Sequence, residues 1–470
     1  MSLWFRMGMG KSKPDSIHRT RLAVISLVAL LIVGLVSTAV TWRMRLRHAV
    51  DTQLAALRSA GLPTSGAELN QWYPSVPDSE NAALVLTRAF ALMRTFPDQR
   101  SNEVARFTPP PRGLSLTPGQ VQLLSDYLKL NAAALETAAV AVKMPRSRYP
   151  VDLTPGADVL LPHLSKIKTL AQTSRDEAML AIDAGRTPDA AKSLKTTLAL
   201  ARTLDAEPLL ISQLVRIAIL KIARLTLEQR LNAGHTDEWE LTELALAFAG
   251  AGRSNSMARA FAGEQAMAIP YFHMSWAELN RMDKGGEDGL DSPAGPPLPG
   301  PQPFLFRLTG FFERDLRFYC GVMRTNLALA SLGPPGSLAA TNMDRSVEAR
   351  IRSGHYILSG LLLPALSRAL VKEAEGVAHI RISAVALALE RFRLANHRLP
   401  DSLAELVPRY LEESPADPFD GAPLRYRRLP KGYIVYSIGR DGRDDGGKEP
   451  PPTRRGAGNV PEDITFTVER

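Results

Sequence analysis

Residues 22–42 read LAVISLVALLIVGLVSTAVTW, an uncharged apolar run closed by Arg21 on one side and Arg43 on the other. Coiled as a helix it extends about 31 Å, the thickness of a bilayer's hydrocarbon core. Ser37-Thr38-Ala39 offers small residues of the kind a signal peptidase accepts. Signal-peptide cores, however, run only about 7 to 15 apolar residues, and this run is longer and ends on the basic cluster Arg43, Arg45 and Arg47. The reading is a retained transmembrane anchor. Membrane lipid is then the chain's first partner, and everything after residue 42 is tethered.

Charge points the same way. The 470 residues carry a formal net charge of +9, and residues 1–60 alone hold nine Arg and Lys against two Asp, so +7 of that excess flanks the span. Basic side chains there meet anionic headgroups and snorkel from the helix ends. The remaining chain is close to neutral, so its charge does not indicate a nucleic-acid surface. Basic residues before the span slightly outnumber those within the same distance after it. The positive-inside rule then puts the N-terminus in the cytoplasm and the body outside the inner (cytoplasmic) membrane. Cys320 is the one cysteine, so no intramolecular disulfide exists and the residue reads as core. Gly8-Met9-Gly10-Lys11-Ser12 ends like a phosphate-binding loop, but Phe5 replaces the first glycine and no strand precedes it.

Beyond the span the periodicity is helical nearly throughout. Val50, Leu54 and Leu57 fall on one face of a stalk helix that Gly61 and Pro63 end. Asp78 or Ser79 is placed as the N-cap of a helix carrying Leu84, Phe90 and Met93, with Trp72 and Tyr73 packed at its entry. A further helix follows Thr117-Pro118 and runs to about Lys143. Helices are expected over 162–184, 188–204, 208–232 and 237–251, separated by Gly185-Arg186-Thr187-Pro188, Glu207-Pro208 and Gly234-His235-Thr236-Asp237. Connections this short force antiparallel neighbours. The pair around Gly185, with Ala190 and Ala191, resembles one tetratricopeptide-like hairpin, although no second copy follows at that period. Met257, Met267, Met274 and Met282 with Phe261, Phe272 and Trp276 read as core of a helix broken at Pro270. A Gly/Pro/Asp-rich connector then precedes helices from 304 and 338, a long helix from Pro364 to Asn396, and strands near 424–428, 433–438 and 464–468.

The fold class is therefore mainly α: an N-terminal transmembrane helix, an α-helical hairpin array and a small C-terminal α+β module. Its parts are a basic tail (1–21), the span (22–42), a stalk and helical hairpin domain (43–283), a linker (284–303), further helices (304–363), and a long helix with a small antiparallel sheet (364–470).

Three motifs in order mark the last part: Phe392, Asn396, Arg398 and Pro400 at the end of the long helix; Asp417, Pro418, Phe419 and Gly421; and Tyr436, Ser437, Ile438, Gly439, Asp441 and Gly442. Together they resemble the globular domain of the major pseudopilin of type II secretion, over about the last 90 residues. The remainder resembles membrane-anchored helical bacterial envelope proteins. In the pseudopilin family the final loop holds calcium, and the resemblance implies a candidate calcium site at Asp441, Asp444, Asp445 and Asp463. Several carboxylates on a glycine-rich loop suit that hard cation. The same residues also suit an Asp-Gly turn whose side chains accept local N–H bonds. The span lacks the family's Gly-Phe processing site and internal glutamate, and residues 43–363 separate it from the module, so the chain is not expected to polymerise as a pilin.

Catalytic signatures do not stand out. The eight histidines have no metal-binding spacing, and Gly252-Arg253-Ser254-Asn255-Ser256 lacks the closing glycine of a nucleophile elbow. The expectation is a membrane-anchored envelope scaffold or adaptor without catalytic activity, associated with a type II secretion or pilus-like system and partnered by envelope or secretion proteins rather than nucleic acid. The alternative is a membrane-tethered hydrolase with its site between helices.

Overall fold

The computed structural model describes residues 14–141, 143–252, 255–274, 309–449 and 463–470. The expected connector at 284–303, the phosphate-loop look-alike, Trp276 and Met282 lie outside them. The chain forms two compact units, one from residues 1–56 and 272–317, the other from 57–271 and 318–470. It is mainly α with a small α+β module, as the periodicity predicts.

In the first unit, helix α1 (Pro14–Ser59) carries the apolar run. Its apolar part is long enough to cross a membrane and none of it is buried against protein; Leu30 and Leu35 are 70% and 74% exposed. Past that run the helix gains a buried stripe, Leu46, Val50 and Leu54, at the 4-residue spacing of a packed face. Gly310 closes onto this stripe. Its φ is +73°, and a Cβ there would stand 2.8 Å from Leu46 Cδ1, so only glycine fits. Just beyond it, Glu313 accepts from Arg43 Nε at 3.0 Å and Arg47 Nε at 3.1 Å. Burial alone would raise the pKa of Glu313, but its own backbone N–H and the two guanidiniums outweigh that and hold it below the usual carboxylate range.

The second unit is a stack of helical hairpins: α2 (Gly66–Trp72), α3 (Ala82–Leu92), α4 (Arg100–Ala105), α5 (Pro118–Ala141), α6 (Pro162–Asp183), α7 (Thr187–Arg202), α8 (Leu210–Asn232), α9 (Glu238–Gly252) and α10 (Ser256–Ala268). Local chemistry sets the breaks. At the end of α6, Gly185 takes φ +70° and the Arg186 N–H reaches back to the Ala181 carbonyl at 2.8 Å, a glycine-terminated helix end. Asp237 caps α9 by accepting from Glu240 N at 2.7 Å. One expected start differs. Asp78–Glu80 is a 3-10 turn, and the cap of α3 is Asn81, whose side chain accepts from Ala83 N. Asn81 also donates to the Arg148 carbonyl, so it serves two elements where Asp78 or Ser79 would serve one. Tyr73 is core, as expected, with Arg148 over its ring at 4.6 Å. Cys320 is buried too, and burial lifts its thiol to about 11.

Helices α11 (Phe311–Leu332), α12 (Ala339–Gly354) and α13 (Ile357–Leu362) lead to α14 (Pro364–Asn396). Strands β1 (Arg425–Leu429), β2 (Gly432–Ser437) and β3 (Ile464–Glu469) form an antiparallel sheet in that order. Its inner face, including Tyr433, Val435, Phe466 and Val468, shares one core with Val385, Ala386 and Leu389 of α14 and with Leu227 and Leu231 of α8. Burying each such side chain is worth about 1.5–3 kcal/mol. The contacts include the Tyr433 hydroxyl donating to the Ala386 carbonyl at 3.2 Å.

The outer edge of β3 is covered by polar side chains rather than another strand. Alternate residues of an edge strand point their N–H and C=O groups outward, here Thr465, Thr467 and Glu469. Helix α8 meets them with residues four apart. Arg224 donates to Thr465 O, Glu228 accepts from Thr467 N at 2.8 Å, and Asn232 both donates to Thr467 O and accepts from Glu469 N at 2.8 Å. Four helical residues rise about 6.0 Å and two strand residues about 6.6 Å, so the two periods run in step. Edges left open invite pairing with other chains, and this one is closed from within.

Candidate functional site

Two places concentrate polar side chains. The first is where the C-terminal motifs meet. Asp417 is completely buried and accepts four hydrogen bonds: from Phe419 N at 3.0 Å and Ser437 Oγ at 2.7 Å on one oxygen, and from Arg425 Nη1 at 2.7 Å and Ile438 N at 2.9 Å on the other. The second and third motifs are thus tied together by one carboxylate. Gly421, at φ +77°, donates to the Asp417 carbonyl and lets the turn close. The first motif adds Pro400, whose carbonyl accepts from the Tyr426 hydroxyl of β1 at 2.9 Å.

The four candidate calcium ligands lie beside this cluster. Asp441 accepts from Arg443 N at 3.1 Å. Asp444 accepts from the Tyr436 hydroxyl at 3.0 Å and from Gly446 N at 2.9 Å. Asp463 accepts from Gly447 N at 2.8 Å and from Asp445 N at 3.5 Å. Burial raises the Asp463 carboxyl pKa, and the charges of Asp445 and Asp444 add to it while the two amide bonds oppose. Asp444, Asp445 and Asp463 are therefore within electrostatic reach of one another. Among the described residues no three His, Cys, Asp or Glu side chains are grouped to hold a metal ion. Asp441 and Asp444 make the bonds of an Asx-type turn, each accepting an amide two residues on, while Asp463 ties the loop to the start of β3 through amides far earlier in the chain.

The second place is a cavity of about 450 Å³ walled by α8, the α9–α10 junction, the C-terminal end of α11 and the middle of α14. Glycines let its walls approach: a Cβ on Gly376 of α14 would stand 3.0 Å from Ile217 of α8. Ile217, Met257, Val377 and Ile380 supply apolar surface, and Gln213, Arg216, Glu373 and Arg381 supply polar groups. Arg216 is committed, pairing through Nε with Asp205 and donating through Nη2 to the Ala251 carbonyl at 2.6 Å. Gln213 spends its amide N–H groups on the Leu204 and Glu207 carbonyls, leaving a buried Oε1 without a partner among the described residues. Glu373 Oε2 is likewise buried and without a partner among them. Burial pushes this carboxyl up to about 7, against a smaller opposing pull from Arg216. Arg381 donates through Nη1 to the Ala416 carbonyl at 2.7 Å, and burial lowers its pKa against the pull of Asp417 and Glu413.

Sequence reasoning missed this cavity. Glu373, Val377 and Ile380 fall on one face of α14 by spacing, but nothing local says that Gln213 and Arg216 stand opposite. A glutamate flanked by apolar and small residues on a long helix was the available signal.

No protein-family model, no curated protein and no solved structure matches this chain.

Proposed function

We propose that this chain is a single-pass, membrane-anchored scaffold or adaptor of the bacterial envelope, held in the inner membrane with its N-terminus cytoplasmic and its body exported. The observation that carries this reading is helix α1, whose apolar stretch lies wholly unburied over a length that matches a bilayer. The Arg43–Glu313–Arg47 bridge at its end supports it, because a carboxylate shared by two guanidiniums fixes the helix where it leaves the lipid. The three C-terminal motifs favour a type II secretion or pilus-like assembly as the partner. Orientation is tested with C-terminal reporter fusions: alkaline phosphatase is active and green fluorescent protein dark if the body is exported, and the reverse pattern rejects it. The partner is tested by affinity capture from solubilised membranes. Secretion components are expected, and their absence against a tagged control removes that half of the reading.

A second reading, a membrane-tethered hydrolase working between helices, is favoured by one observation. Glu373 lines a cavity with its carboxyl raised to about 7, the range in which a general acid works at neutral pH. Turnover on a panel of esters and glycosides, abolished in Glu373→Gln, would establish it. A panel without turnover leaves the scaffold.

A further inference from the structure

The cavity between α8 and α14 holds two kinds of unfinished polar chemistry. At one end are acceptors: Glu373 Oε2 and Gln213 Oε1, both buried and neither with a partner among the described residues. A buried acceptor left unmade carries the full desolvation cost of the group, and more where charge is involved. At the other end is a donor group. Arg381 has five N–H groups and makes one hydrogen bond among the described residues, to Ala416 O. No carboxylate stands within ion-pair distance of it there, because Asp417 is held by Arg425, Ser437 and two backbone amides.

These ends do not satisfy one another. Glu373 and Arg381 are separated by eight residues of one helix, about 12 Å along its axis, and Arg216, which also lines the cavity, is already taken by Asp205. A molecule able to finish both must bring a donor to Glu373 and Gln213 and a carboxylate to Arg381, with an aliphatic middle against Ile217, Val377 and Ile380. The volume of about 450 Å³ is at the small end of ligand sites. We propose that this cavity binds a small zwitterion, an amino acid or short peptide, with its ammonium at Glu373 and Gln213 and its carboxylate at Arg381. Arginine offers the carboxylate a bidentate fork. The site goes beyond the scaffold reading and does not rest on it.

The test uses the full chain in detergent micelles and isothermal titration calorimetry. The probes are 4-aminobutanoate, 6-aminohexanoate and 8-aminooctanoate, each beside the plain carboxylic acid and the plain amine of equal length. At least one zwitterion is expected to bind about tenfold or more tighter than both of its single-charge analogues. Glu373→Gln and Arg381→Met should each reduce its affinity about tenfold, Val377→Phe should block it by filling the cavity, and Arg443→Ala, on the C-terminal loop, should leave it unchanged. Thermal melts show which variants are folded, and Val377→Phe keeps the test valid if Arg381→Met is not. The proposal is overturned if no zwitterion outbinds its analogues, or if binding survives the cavity substitutions in folded protein.

Discussion

Asp417 shows how one side chain can hold a module together. Buried ionised groups are tolerated only when paired and fully hydrogen-bonded, and its two oxygens accept from two backbone amides, a hydroxyl and a guanidinium. Asp417→Ala leaves Ser437 and two backbone amides without their acceptor and takes from Arg425 one of its two carboxylate partners, Asp420 remaining. It should cost about 3–5 kcal/mol in urea unfolding of the full chain in micelles. Asp417→Asn should recover part of that loss, because one oxygen still faces Ser437 and Phe419. Glu373 is the opposite case, with one carboxylate oxygen buried and without a partner among the described residues. Its folded pKa of about 7 lies above the ordinary 4.5, so the folded state binds the proton more tightly than the unfolded one. The stability this contributes is complete below about 4.5 and is lost as pH rises through about 7. Arg216 of α8 is the charged group whose field acts on it in the cavity. Glu373→Gln, which does not titrate, should match the parent near pH 4.5 and exceed it by on the order of 3 kcal/mol at pH 8, read as the difference between two melting curves.

At the scale of elements, the helix-to-strand ladder is the feature that local sequence could not disclose. Helix limits were legible because glycine and proline punctuate them: the expected 162–184 and 364–396 correspond to Pro162–Asp183 and Pro364–Asn396. The strands were legible from their short β-branched and aromatic runs between turns. Arg224, Glu228 and Asn232 were not, because their partners lie more than two hundred residues later in the chain. Their signal was present but silent: three polar side chains at four-residue spacing on a helix otherwise rich in buried Leu and Ile. Glu228→Ala removes the acceptor for Thr467 N, Arg224 and Arg112 together and should cost about 3–5 kcal/mol. Asn232→Ala should cost about 1–3 kcal/mol, and amide exchange should quicken selectively at Glu469, whose N–H it accepts. Unchanged exchange there would mean that the strand edge is held by something other than α8.

For the whole molecule, the sheet and the hairpins share one core, so the C-terminal module is built into the helical body. Tyr433, Phe466, Leu227 and Leu389 belong to the same cluster. Motifs recognisable along a sequence can thus be folded into a setting that the motifs do not specify, and for that reason the resemblance to a pseudopilin head bears on partners only as a proposal. The N-terminal apolar helix is different: its length, lack of charge and basic flanks are read directly from residues 19–47, and the structure leaves its apolar side chains unburied. Alkaline carbonate extraction of membranes from cells making the intact chain tests this most directly, beside a variant lacking residues 22–42. The intact chain should remain in the membrane pellet and the deletion variant should leave it. Recovery of the intact, uncleaved chain in the soluble fraction without detergent would contradict the account.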